Sequence, residues 1–176
     1  TPVELPFAKF DHKNIIDSTD ALELSAVPKH LIVIGAGVIG LEMGSVWKRL
    51  GAEVTLLDMA ERPLAIMDGD LGKEAQKIMT KQGLNFELGV QVADIKTKGK
   101  TTTVTFEKNG KKETISGDKV LVSVGRKPNT MQLGLEEVGV KTDRGVIQVN
   151  DAFQTSVPTI YAVGDCAPGP MLAHKG

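Results

Sequence analysis

The sequence predicts an α/β fold, a Rossmann-like parallel sheet with helices and an inserted antiparallel β-meander, on three observations. Residues 31–34 form a short, continuous apolar run rich in β-branched side chains, the pattern of a strand buried on both faces. A glycine-rich turn follows, and then a segment with apolar residues at helical spacing. Further on, two β-branched, alternating stretches flank Asn109-Gly110, a hairpin turn signal.

Taken in order, residues 1–16 read as irregular and extended, because Pro2 and Pro6 disfavour helix. Ser18, Thr19 and Asp20 offer helix-start chemistry, and Asp20 with Glu23 has capping-box spacing. That predicts a short helix over 20–24, stopping before Pro28. After the strand at 31–34, Ile39, Met43, Val46 and Leu50 recur at helical spacing over 38–50, and Gly51 ends the helix. Residues 53–58 read as a second strand, which completes a β-α-β unit close to the expected ~30 residues. A helix over 70–82 follows, with Leu71, Ile78 and Met79 on its apolar side and Gly83 as its stop. Residues 84–88 read as a third strand. The character changes from Gln91 onward into the meander, expected to lie over one face of the parallel sheet. Residues 120–124 resume a buried strand, and 159–163 are the last strand candidate.

Composition narrows the function. The 176 residues suit one domain, or one domain with part of a neighbour. Twenty-one basic and 22 acidic residues leave a net charge of -1, which gives no electrostatic case for nucleic acid or an anionic membrane. No stretch reaches the ~20 apolar residues needed to span a bilayer. The single cysteine, Cys166, excludes an intramolecular disulfide and a multi-cysteine metal site, and a reducing compartment is the natural reading. The chain starts Thr1-Pro2-Val3-Glu4, with neither Met nor a signal segment, as an excised piece would.

The chemistry is carried by Gly35-Ala36-Gly37-Val38-Ile39-Gly40, a G-x-G-x-x-G fingerprint. Alone the string is weak. Here it follows a strand, opens a helix, and precedes Asp58 at the end of the next strand. Gly35 permits the tight turn, Gly37 lacks the Cβ that would hold the backbone off a pyrophosphate, and Gly40 lets the helix pack on the strand. The diphosphate then meets the free N–H groups at the helix N-terminus. Asp58 is placed to accept from both adenosine ribose hydroxyls. A carboxylate there repels a 2′-phosphate, and Arg62 is the only nearby cation to receive one. NAD is favoured over NADP. FAD uses the same fingerprint, so the fold by itself does not separate the two; the class is the FAD/NAD(P)-binding type.

Residues 33–47, which include Gly44-Ser45-Val46-Trp47, and their continuation from Arg49 to Thr55 resemble the dihydrolipoamide dehydrogenases, a family of flavoprotein disulfide oxidoreductases. Residues 119–129 are similar to that family's exit from its NAD domain. Residues 159–165 resemble its second flavin motif, and 169–175 match the segment beside the flavin. The resemblance implies three parts: a connector from the flavin domain at 1–20, an NAD-binding domain at 21–148, and a partial return into the FAD-binding domain at 149–176. It implies that Gly35, Gly37 and Gly40 approach the NAD pyrophosphate, with Ala36 among the cofactor-binding residues, and that Asp58 replaces a ribose-binding acid more often Glu. Val38, Ile39 and Gly125 would line the nicotinamide end, and Glu42 would lie near the nicotinamide ribose. Asp165 would bind the ribityl or phosphate region of FAD, with Met171, Leu172 and Ala173 close to the flavin. Blander readings stand beside these. Glu42 also reads as a solvated acid of the first helical turn, Asp165 as a turn acid, and Arg126 as either a loop charge or a dinucleotide contact. His174 has no carboxylate partner and reads as non-catalytic, and Trp47 reads as core.

The departures from the family define what the chain lacks. The redox C-x-x-x-x-C pair, the first flavin fingerprint, the acid-base His-Glu pair and the dimerisation domain do not occur in it. No residue is therefore assigned a catalytic or metal role. The resemblance implies a parent that oxidises dihydrolipoamide through a disulfide and FAD and passes hydride to NAD. The rest of that flavoprotein chain would be this chain's partner. The parent would be a homodimer within 2-oxo acid dehydrogenase complexes, cytoplasmic in a bacterium or in the mitochondrial matrix of a eukaryote. The isolated chain is expected to be inactive and to retain no FAD. Two alternatives remain: a sister disulfide reductase or transhydrogenase, and a self-standing dinucleotide-binding module.

Overall fold

Five parallel strands run side by side, and the inner ones are largely apolar on both faces. In the computed structural model, which describes residues 1–172, they are β1 (Ile15–Ile16), β2 (His30–Ile34), β3 (Glu53–Asp58), β4 (Asn85–Leu88) and β8 (Lys119–Val122). Their order is β1-β8-β2-β3-β4. Between them in sequence lie helices α1 (Ser18–Leu22), α2 (Val38–Arg49) and α3 (Gly69–Lys81). The meander is β5 (Gln91–Lys98), β6 (Thr101–Lys108) and β7 (Lys111–Gly117), antiparallel throughout. Asn109 and Gly110 both take positive φ in its tight turn, as a twist-matched hairpin requires.

The alternation of side chains across the sheet divides the core in two. Leu31, Val33, Val54, Leu56 and Leu121 pack with Ala21, Leu41 and Trp47 of the helices. Ile32, Ile34, Leu57, Val120 and Val122 pack with Ile95, Val104 and Phe106 of the meander. The expected placement of the insert over one sheet face is what is found, and the α/β class with a parallel sheet and an antiparallel sheet holds.

Four local expectations are corrected. The first helix starts earlier, with Asp17 as its cap: its carboxylate accepts from Thr19 N and Asp20 N, while Asp20 reaches back to Asp17 N. The capping box is therefore Asp17 with Asp20, not Asp20 with Glu23. Asp20 also pairs with His12 Nδ1 at 2.9 Å, and that hydrogen bond, followed by the carboxylate's charge, raises the imidazole above its ordinary 6.5. Next, Ile15 and Ile16 leave the irregular segment to pair with Val120 and Leu121. On α3, Leu71 and Ile78 stay largely exposed, since the helix approaches the core through Gly72 and Met79. Lastly, residues 159–163 form no strand: only the bridge between Tyr161 and Gln154 is made, and Ile160 N closes a turn onto Val157 O.

The chain divides into two units, Pro2–Gly125, and Thr1 with Arg126–Gly176. The second has its own small core of Val140, Ile147, Ala162 and Ala167. Beside it β9 (Thr142–Asp143) and β10 (Val146–Ile147) make a hairpin turned at Arg144 and Gly145.

Trp47 Nε1 donates to the carbonyl of Ala21 at 3.1 Å, within the core. Trp47→Phe keeps most of the apolar bulk but leaves that carbonyl without its donor. It should cost about 1–3 kcal/mol in urea-induced unfolding with an unchanged m-value.

Candidate functional site

The site sits where β2, β3 and β8 end together. Gly35 leaves β2 with its N–H bonded to Leu57 O of β3 at 2.8 Å, and on the other side Ser123 N donates to Ile34 O at 2.8 Å. Ser123 Oγ adds bonds to Ile34 O and Gly35 O, each 3.1 Å. Gly35 turns at φ +104, and a Cβ there would stand 2.5 Å from Ser123 O. A Cβ on Gly40 would overlap Gly35 O. Both glycines are fixed by the chain's own packing.

Gly37 is different. It is the N-cap of α2 in extended backbone, φ -76 and ψ -172, and a Cβ on it would meet nothing within 4 Å. The space beside it is open. No side chain caps α2 and no acid lies in its first turn, whereas α1 and α3 are capped by Asp17 and Asp68. Val38, Ile39 and Gly40 belong to the first turn, whose N–H groups have no intrahelical acceptor. With the positive end of the helix dipole behind them, they form a cradle for an anion. The residues present thus fit a dinucleotide's diphosphate.

Asp58 closes the far side. Its Oδ2 accepts from Ala36 N at 2.6 Å and its Oδ1 from Ala60 N at 2.8 Å. The half-buried carboxylate ties the end of β3 to the fingerprint turn, and each oxygen keeps a lone pair for a further donor. Sequence reasoning found Asp58 but not this anchoring, and it missed Ser123 and Leu64, whose N–H donates to Ala36 O at 3.0 Å. A serine directly after a buried strand was the one available signal for Ser123.

The remaining candidates are placed as follows. Glu42 is exposed on α2, past the first turn, so the dipole gives no reason for it there. Gly125 is exposed at φ +128 shortly after β8, and its carbonyl accepts from Val3 N at 3.1 Å. In the other unit, Asp165 lies exposed in a single 3-10 turn, Gly164–Cys166, with Arg126 Nε at 3.8 Å from its Oδ2. Met171 and Leu172 are half-buried, and Ala173 lies outside the described residues. Trp47 is core, as its reading required. Gly35 to Gly40 and Asp58 come together; Asp165, Met171 and Leu172 belong to a separate unit.

Comparison with known proteins identifies the family. The family model described as pyridine nucleotide-disulphide oxidoreductase matches residues 3–176. Dihydrolipoyl dehydrogenase of Cupriavidus necator is 51% identical over 173 residues, covering 97% of this chain and 36% of the relative. The mitochondrial dihydrolipoyl dehydrogenase of Dictyostelium discoideum is also 51% identical, with the same coverage of each chain. The crystal structure of LpdA from Mycobacterium tuberculosis superposes with a TM-score of 0.87 at 32% identity, covering 99% of this chain and 38% of that one. The chain spans about a third of the length of the curated relatives it matches. A match that runs through both units, at half identity to dihydrolipoyl dehydrogenases, makes the chain a member of the pyridine nucleotide-disulphide oxidoreductase family.

Proposed function

We propose that this chain is the NAD(H)-holding part of a flavoprotein that oxidises dihydrolipoamide to lipoamide with reduction of NAD. The observation that carries the reading is the open cradle at Gly37, the one fingerprint glycine whose missing Cβ serves no contact within the chain. The N–H groups of Val38, Ile39 and Gly40 would hold the diphosphate, and Asp58 would accept from the adenosine ribose. Glu42 and the backbone around Val38, Ile39 and Gly125 would flank the nicotinamide end. NAD held there would supply a hydride acceptor for a flavin, and this chain's residues would bind and orient it.

In this reading residues 21–148 serve the dinucleotide, 1–20 lead in from a flavin domain, and 149–176 return to one. Asp165, Met171, Leu172 and Ala173 would then lie on the FAD side. One cysteine leaves the redox disulfide, and with it the reaction, to the rest of a parent chain. That parent would be a homodimer in a 2-oxo acid dehydrogenase complex. The named relatives are bacterial and mitochondrial, which supports a cytoplasmic or matrix setting. Among the described residues no helix is long and apolar enough to cross a membrane.

Two outcomes test this. Gly37→Val adds a side chain to empty space at a φ that any residue accepts, so the melting temperature should hold while NADH binding is lost in calorimetric titration. Retained affinity would mean that the phosphate is held elsewhere. Asp58→Ala removes a charged acceptor worth ~1.5–3 kcal/mol per bond, so NADH should weaken roughly tenfold or more. The unmutated chain should favour NADH over NADPH, and equal affinities would contradict the assignment.

A further inference from the structure

The loop that leaves β3, residues 59–68, is built around one cation. Arg62 Nη1 donates to Met67 O at 3.0 Å, to Asp68 O at 3.3 Å and to Leu64 O at 3.5 Å. Its Nη2 donates to Ala65 O at 3.1 Å. Four carbonyls thus converge on the end of one guanidinium fork, the edge that would otherwise pair with a phosphate. The side chain lies against the first turn of α3, where a Cβ on Gly72 would stand 3.0 Å from Nη1 and 2.7 Å from Pro63 O. Leu64, between these contacts, is held at φ +52, a left-handed conformation that a branched residue keeps only where its surroundings over-determine it. Its N–H is the one that donates to Ala36 O, within the fingerprint and one bond from the Asp58 carboxylate.

We propose that Arg62 is a positioning residue for the ribose-binding end of the site. It folds residues 63–68 into a rim held against Ala36, and because the Nη1–Nη2 end of its fork is committed to that rim, that end does not receive a 2′-phosphate. The inference rests on the proposed dinucleotide site and deepens it. Charge near the fingerprint suggests a phosphate receptor, yet the donors at the end of the fork are taken up by backbone carbonyls. Selectivity against NADP then has two sources, repulsion by Asp58 and the engagement of the Nη1–Nη2 end of Arg62, the nearby cation in sequence, with the rim. Arg62 acts on the ligand only through Leu64 and Ala36.

The test compares the 176-residue chain with Arg62→Met, Arg62→Lys and Gly72→Ala, titrated with NADH, NADPH and AMP well below each melting temperature. Gly72→Ala presses on Pro63 O and on Arg62 Nη1, so it shifts the rim while keeping the charge of Arg62. Arg62→Met and Gly72→Ala should each weaken NADH and AMP by roughly tenfold, the scale of one lost charge-assisted hydrogen bond. Both should speed amide exchange at Leu64 and Met67, and Arg62→Lys should fall between them and the unmutated chain. A lowered melting temperature with unchanged AMP affinity would make Arg62 a stability residue only and overturn the proposal. A selective loss of NADPH in Arg62→Met would show that the fork does reach a 2′-phosphate, and would overturn it too. If the unmutated chain bound neither NADH nor AMP, the dinucleotide site itself would fail, and this inference with it.

Discussion

The site depends on how closely three backbone segments pass at the end of β2. Gly35 bonds to Leu57 O on one side, and Ser123 bonds to Ile34 O on the other. In the small space between them the first turn of α2 comes down onto Gly35 at Gly40. No side chain beyond hydrogen fits at either glycine. That contact aims the helix axis, and the axis carries the partial positive charge of its N-terminus to one point. Asp58 fixes the same point from β3, through Ala36. Loosening the close approach would release the helix from the strand and the anion cradle with it.

The division of labour among the glycines follows. Gly35 and Gly40 are required by the fold, and nothing about a ligand need be invoked to explain them. Gly37 is required by neither packing nor backbone conformation. A purely structural β-α turn would tolerate a side chain there and would gain from a capping side chain on α2, as α1 and α3 do. The chain instead leaves that helix end bare. Functional sites are where local rules of stability are left unmet.

Much of this was legible in the sequence because it is local. The strand at 53–58 falls on the residues its apolar run indicates, and α2 departs from its pattern only by ending at Arg49. What escaped depends on partners far along the chain. Ile15 and Ile16 carry too short a signal to read as a strand until Val120 and Leu121 pair with them. Residues 159–163 have strand composition but lack a ladder along their length. At the site, the acid and the glycines were visible as residue types. The bonds from Asp58 to Ala36, from Ser123 to Gly35 and from Leu64 to Ala36 were not, since no spacing rule foretells which carbonyl a folded loop will meet. Arg62 is the clearest instance: its charge is plain in the sequence, and its use is set by the turn it occupies.

The central claim is that the bare first turn of α2 receives the dinucleotide's diphosphate. A titration of the 15N-labelled chain with NADH, followed by backbone amide resonances, tests it most directly. The account predicts the largest saturable shifts at Gly37, Val38, Ile39 and Gly40, with a smaller set at Ala36 and Ala60 beside Asp58. Saturable binding that leaves the amides of residues 37–40 unmoved would contradict it.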